Sequence, residues 1–284
     1  MRRHVDTARF RIWILILGVW ILTGCISKAP LLEEFPAEAL REVQKVPYRI
    51  VEGEHLTFSI RWLGFEFGTG EIKLEGIETI QDREAYHVSM RVWSNALIDL
   101  VYPVRDEHHS YIDVEHFHSL RYEKVLREGR YRADEVMVYD QDQHTAVYES
   151  RLNGTKKQMM IPEHVQDQLS CAFWLRYQAM KPGDHVHIPV NADEQNWDVE
   201  IHVVYSDRKK IGDLGTFDAL RIDPSANFQG VFIRRGKFWG WMSMDDRRLP
   251  LLMQSKIPVL GSVNIVLVDY QPRLLEGSAV EAVA

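Results

Sequence analysis

Histidines are the side chains in this 284-residue sequence whose spacing comes nearest to a metal-binding set. His108, His109, His116 and His118 fall within about ten residues, with Asp106 and Asp113 beside them as oxygen donors. Zinc needs three or four such ligands, converging at about 2.0–2.1 Å for nitrogen. On a strand His116 and His118 share a face, as do His108 and Ser110, but the neighbours His108 and His109 point to opposite faces. The set does not converge without a bulge. The pattern is therefore read as histidines on the wet faces of strands, with no metal site and no cofactor. His185 and His187 have i, i+2 spacing on another strand, with no third ligand in sequence reach.

Nucleophiles and acid–base pairs are scarcer still. Asp245-Asp246 runs into Arg247-Arg248 and Leu249-Pro250, which reads as an ion-paired turn. No serine sits in a Gly-x-Ser-x-Gly elbow, and no glycine loop is laid out to cradle phosphate. Asn153-Gly154-Thr155 fits a hairpin turn better than a glycosylation site. Cys171 lies in the apolar run Leu169 to Leu175 and reads as a small buried hydrophobe. These residues yield no catalytic set, so the expected activity is non-enzymatic.

The other cysteine has a chemistry of its own. Arg2, Arg3, Arg9 and Arg11 precede an uncharged apolar stretch from Ile12 to Leu22. At about 11 residues that stretch is too short to span a bilayer, which takes roughly 20. It has the form of a signal-peptide core. Leu22-Thr23-Gly24-Cys25 follows, and it resembles the lipobox of bacterial lipoproteins. The resemblance implies a diacylglycerol on the Cys25 thiol and cleavage after Gly24. Residues 1–24 are then the signal peptide and 25–47 a lipidated tether. Ile26 is not an acidic retention signal, which favours the outer membrane over the inner and places the protein in the cell envelope, facing the periplasm.

Charge and composition narrow the partners. The formal net charge is -7, and the first 24 residues contribute +3, so the remainder carries -10. A chain this acidic has no basic surplus for nucleic acid. Hydrophobic residues make up 45% and aromatic residues 11%, which indicates a packed core.

From Tyr48 onward the apolar residues recur with period two, the mark of strands with one buried face. Leu56, Phe58, Ile60 and Trp62 form one such set, and Tyr86, Val88, Met90 and Val92 another. Val136 and Val138 continue the style, as do Val199 to Tyr205 and Val263 to Asp269. Turn signals fall at Glu128-Gly129, Asp140 to Gln143, Asn153-Gly154, Gly212 to Gly215 and Gly236. Many short strands at this spacing predict an all-β domain, one large curved antiparallel sheet forming a barrel or half-barrel. A single main α-helix interrupts it. Asp167 caps its start, Leu169, Ala172, Phe173 and Met180 share a face flanked by Trp174 and Tyr177, and Pro182-Gly183 ends it. The aromatic surplus either fills the concave side or lines a cavity there. Trp62, Trp93, Phe173, Trp174 and Trp241 are the candidate ligand-binding residues, and Phe65 and Phe67 lie in a hairpin loop.

Several blocks in order carry a family resemblance. They are Gly53 to Trp62 with Gly64 and Gly68-Thr-Gly70; Asp106, Ser110, Tyr111 and Asp113; Asp167 to Arg176; Lys181-Pro-Gly-Asp184 with Ile188-Pro-Val190; Gly215 to Ile222 with Pro224; and Trp241 to Pro250 with Gly261-Ser-Val263. Together they resemble the domain-of-unknown-function 3108 family over residues 48–272, leaving 273–284 as a C-terminal tail. The resemblance implies an envelope protein of mostly antiparallel β fold, and it lends no reaction and no catalytic residue. The plan is also similar to envelope lipoprotein carriers whose curved sheet holds acyl chains. The expected partners are membrane lipid through Cys25 and an apolar ligand or an envelope protein. A structural or assembly lipoprotein with a filled core is the alternative, and an enzyme the third reading.

Changing Cys25 to Ser should block lipid transfer and leave the precursor uncleaved. Metabolic labelling with a palmitate analogue reads this directly; equal label on variant and parent would refute the anchor.

Overall fold

The computed structural model describes residues 53–228, 231–232, 237–257 and 261–272. The signal segment, Cys25, the tether, Tyr48, Gly236 and the C-terminal tail lie outside them. Fifteen strands form one sheet. They are β1 (His55–Trp62), β2 (Phe65–Ile80), β3 (Arg83–Ser94), β4 (Arg105–Asp113), β5 (Ser119–Glu128), β6 (Tyr131–Asp140), β7 (Thr145–Ser150), β8 (Lys156–Met160), β9 (His185–Ala192), β10 (Gln195–Ile211), β11 (Gly215–Phe228), β12 (Val231–Phe232), β13 (Lys237–Ser243), β14 (Pro250–Ile257) and β15 (Gly261–Gln271). Two helices accompany them, α1 (Ala96–Asp99) and α2 (Ser170–Arg176).

The sheet order is β8-β7-β6-β5-β4-β3-β2-β1-β15-β14-β13-β11-β10-β9, with β12 paired to β11 off this path. Every strand pairs antiparallel to its neighbours, and nearly all neighbours are consecutive in sequence. The exceptions are β11 against β13, which passes over the short β12, and β1 against β15, which brings the two ends of the domain together, Leu56 opposite Tyr270 and Ile60 opposite Ile265. The expected period-two alternation sets which side each strand buries. Leu56, Phe58 and Ile60 of β1 point inward, as do Val186, Ile188 and Val190 of β9. The turns fall where glycine and aspartate signalled them. Asp140 Oδ1 accepts from Gln143 N at 2.9 Å between β6 and β7, and Asn153 Oδ1 accepts from Thr155 N at 3.0 Å between β7 and β8. Gly68 answers a different need. A Cβ there would lie 2.3 Å from the Trp93 carbonyl oxygen, so only glycine lets β2 approach β3 so closely.

The hydrogen-bonded path stays open between β8 and β9. An open edge is a row of unpaired backbone groups, and proteins cover it. Here the connector before α2 does so. Gln166 N donates to Pro189 O at 2.8 Å and Asn191 N donates to Gln166 O at 2.8 Å, a short parallel bridge along β9. Side chains complete the approach of the two ends. Asn196 Nδ2 donates to Met160 O at 2.8 Å, Lys157 pairs with Glu194, and Lys124 Nζ lies 3.0 Å from Asp193 Oδ1. The sheet is a barrel-like half-cylinder whose mouth is bridged by one segment.

The helix α2 is the main helix that the sequence predicts, but shorter. It ends at Arg176, and Met180, predicted on its face, is buried beyond it in the smaller of two core clusters. One local and one tertiary interaction mark the early stop. The Gln178 side-chain amide donates to Trp174 O at 3.1 Å and takes up a last-turn carbonyl. Arg176 is drawn into a bidentate pair with Glu54, both bonds 2.7 Å, and donates to Arg247 O at 2.8 Å. At the start, Asp167 Oδ1 accepts from Leu169 N at 2.7 Å and Ser170 N at 2.8 Å, while Ser170 Oγ accepts from Asp167 N at 2.8 Å. That reciprocal pattern works as a capping box. The short α1 has no counterpart in the apolar pattern. Asn95 caps it through Ile98 N at 3.0 Å.

Glu54 and Arg176 are both almost fully buried. Removing one partner of such a pair strands the other, which costs about 3–5 kcal/mol, whereas replacing both by apolar side chains is often neutral. Arg176→Met should therefore lower the unfolding free energy by about 3–5 kcal/mol, and Glu54→Leu with Arg176→Met together by less than either change alone. Chemical denaturation of the three variants measures the coupling.

Candidate functional site

Two core clusters meet under α2. The larger gathers β1 to β7, β14 and β15 around Leu56, Phe58, Ile60 and Leu267; the smaller gathers β9, β10 and β11 around Val190, Trp197, Ile201 and Leu220. Trp174 packs against both. Between them lies a cavity of about 140 Å³. One face of α2 roofs it with Cys171, Ala172, Phe173, Leu175 and Arg176. Its walls come from Leu56 and Ile72, from Ile188, Val199, Ile201 and Ile222, and from Trp241, Met242 and Met253. Among the described residues of the lining Arg176 is the single charged one, and its guanidinium is engaged by Glu54 and Arg247 O. An engineered apolar cavity of about 150 Å³ stays dry and admits benzene. This space thus fits a ring or the end of an alkyl chain.

The five aromatic candidates divide. Phe173 and Trp241 are buried and line the cavity. Trp62, Trp93 and Trp174 do not line it. Trp62 sits at the β1–β2 hairpin, its ring edge-on to Phe67 at 5.5 Å. Trp93 follows the inward-facing Val92 on β3, so the pleat turns it to the other face of the sheet. Trp174 is half-buried between the two clusters, one position round the helix from Phe173. Of the hairpin pair, Phe65 is exposed and Phe67 half-buried.

Cys171 borders the cavity, is half-buried, and donates from Sγ to Gln168 O at 3.4 Å. Burial pushes its thiol up to about 12, so it is not poised as a nucleophile.

A polar network, unforeseen in the sequence, underlies the helix. Asp167 Oδ2 accepts from Ser110 Oγ at 2.6 Å and from Ser119 Oγ at 2.5 Å. Burial raises the Asp167 carboxyl despite these donors. Alongside it His108 Nδ1 lies 2.7 Å from the Tyr122 hydroxyl, which donates to Gln168 Oε1 at 2.8 Å. His108 is buried, not on a wet face, and burial takes its imidazole down to about 3, so it is neutral at pH 7. None of these residues lines the apolar cavity.

Two further groups of histidines stand out. His118 is buried, a second departure from the expected wet faces, because the turn before β5 folds under the connector at residues 161–166. Its ring stacks between His116, at 5.4 Å, and His164, at 5.5 Å. His116 Nδ1 lies 3.3 Å from Asp113 Oδ1, and the Nδ1 atoms of His118 and His164 are 3.2 Å apart. His164 stands 46 residues along, beyond reach of a local spacing argument. The second group is His185, Glu200 and His202 across β9 and β10, where Glu200 accepts both imidazoles at 3.0 and 3.1 Å. Of the pair His185 and His187, only His185 joins this group; His187 Nδ1 lies 3.0 Å from Asp198 Oδ1 instead.

Comparison with known proteins follows the fold. A domain of unknown function DUF1849 from Brucella abortus, described as beta-barrel-like, is similar at TM-score 0.56 and 7% identity, over 79% of this chain and 99% of that one. Looser likenesses are a protein from Bacteroides fragilis described as exported, with a YmcC-like fold (TM-score 0.32, 10% identity, 81% and 99% covered), and one from Parabacteroides distasonis described as a lipoprotein (TM-score 0.34, 8% identity, 79% and 97% covered). No curated protein matches the sequence. The family model named DUF3108, protein of unknown function, matches residues 57–268, the stretch that holds the whole sheet from β1 into β15, and the chain belongs to that family.

Proposed function

We propose that this protein is a lipid-anchored envelope protein that binds an apolar molecule in the cavity beneath α2 and catalyses no reaction. The cavity carries the reading, because its lining offers apolar side chains throughout and its one charged residue is already paired. The anchor at Cys25 and the periplasm-facing location rest on the N-terminal sequence pattern, and the absence of a basic surplus argues against nucleic acid.

Size sets the class of ligand. Six methylenes buried at about 0.8 kcal/mol each give about 5 kcal/mol, which corresponds to a dissociation constant between millimolar and micromolar. The cavity as it stands suits an arene or the end of one acyl chain, held loosely and without a headgroup contact. Whole diacyl lipid would require α2 to lift.

The alternative is a structural or assembly lipoprotein whose interior holds no ligand. The test uses the sequence from residue 25 with Cys25→Ser, kept free of detergent. A fluorescent fatty acid should bind saturably and be displaced by unlabelled fatty acid. Ala172→Trp, which places an indole in the roof of the cavity, should abolish binding while the unfolding midpoint stays near that of the parent. Absence of saturable binding would sink the ligand reading and leave the structural one.

A further inference from the structure

We propose that Asp113, His116 and His118 form a binding site for one divalent transition-metal ion of the zinc class, with His164 as the outer partner that orients His118. Donor atoms of Asp113, His116 and His118 all lie within 4.8 Å of one another. A tetrahedral zinc with bonds of about 2.0–2.1 Å sets its ligand atoms roughly 3.3 Å apart. Asp113 Oδ1 and His116 Nδ1 are 3.3 Å apart and already have that spacing, while His118 Nδ1 is held by His164 Nδ1 at 3.2 Å, which leaves His118 Nε2 for the ion. Two imidazoles and a carboxylate, with a fourth position open to water, suit zinc, and they leave calcium or magnesium, which prefer all-oxygen sets, poorly served.

An independent observation points the same way. His118 is 3% exposed, and its Nε2 is buried with no hydrogen-bond partner. Native interiors rarely leave such an atom unmatched without an unseen ligand or a functional use. Asp113 keeps capacity for the ion. Its Oδ1 accepts from Glu115 N and His116 N, and its Oδ2 takes a single bond from Arg83 at 3.3 Å. A carboxylate has about four acceptor positions, so Oδ2 retains one. Arg83 is shared with Asp142, at 2.9 and 3.1 Å, and acts as a positioning residue for the carboxylate.

The supports are rigid. Gln166 Nε2 donates to Phe117 O at 2.9 Å and to His164 O at 3.3 Å, tying together the two turns that carry the histidines. Gln141 Nε2 repeats the tie further along, to Ser119 O at 2.6 Å and Val165 O at 3.1 Å. Phe117 and His164 both hold positive φ, 59° and 53°. Bulky residues adopt that conformation rarely, and it clusters where surroundings hold a site in place. An ion here fastens the turn at residues 113–118 to the connector that bridges the open sheet edge.

The experiment uses the full chain in detergent, without a polyhistidine tag and stripped by chelator. Co²⁺ is titrated as the probe, and its visible absorption reports coordination. One Co²⁺ per chain should bind with the bands of a four-coordinate ion and be displaced by Zn²⁺. His116→Gln and His164→Gln alter exposed side chains and should leave folding intact, yet each should weaken Co²⁺ binding about 10-fold or more. The pair His185→Gln with His202→Gln should leave the isotherm unchanged. Either of two results overturns the site: a parent isotherm no tighter than that of the His116→Gln variant, or a loss of binding only with the His185 and His202 pair.

Discussion

Asp167 is the point at which helix, sheet and edge closure meet. Its carboxylate takes two hydroxyl donors from adjacent strands, Ser110 of β4 and Ser119 of β5, and two amide donors from the start of α2. Hydrogen bonds to a charged group contribute about 1.5–3 kcal/mol each and are costly to leave unmade in a buried setting. The residue before it, Gln166, pairs through its backbone with β9 and through its side chain with Phe117 and His164. A stretch of two residues therefore fixes where the helix enters, which strands it crosses and how the open edge of β9 is covered. Without it the sheet would present an unpaired strand to other chains.

The strands were legible in the sequence because their periodicity is local. Leu56, Phe58 and Ile60 announce β1 without any knowledge of what they touch, and Gly129, Asn153 and Gly154 announce turns by their own conformational preferences. Trp93 is misplaced among the ligand-binding residues, although its place beside Val92 already turns it outward. What stayed hidden depends on partners distant in the chain. Lys124 and Glu128 of β5 are buried. Their alternation with Tyr122 and Leu126 gives the parity but not the counter-ions, since Asp193 lies 69 residues away. His108 and His118 read as wet because Tyr122 and His164 are invisible to spacing. The helix read too long because Gln178 folds its side chain back onto Trp174 O and Glu54, 122 residues away, draws Arg176 aside, and no helical period encodes either.

The same distinction separates the two parts of the candidate site. Phe173 and Trp241 could be named from composition and helical face. The cavity they line could not, because it arises from a mismatch between two core clusters that only the folded sheet brings together. Core packing is normally dense enough to exclude such a space. Fully enclosed, a volume of 140 Å³ would forfeit about 3 kcal/mol at roughly 24 cal/mol per Å³; this space is partly open, so that figure is an upper bound, still a large share of the 5–15 kcal/mol that typically holds a domain together.

A void of that cost persists only if its walls cannot relax into it. Here the roof is pinned at both ends. Asp167 bonds the entry of α2 to β4 and β5, and Arg176 bonds its exit to Glu54 before β1 and to the carbonyl of Arg247 before β14. The helix is seven residues long, so no part of it is more than a turn from a fixed point. It cannot settle toward Ile201 and Trp241 without breaking a buried ion pair or a four-donor carboxylate. Each of those breaks costs as much as the cavity itself, about 3 kcal/mol or more. The polar anchors of the helix are thus what keeps apolar space open beneath it.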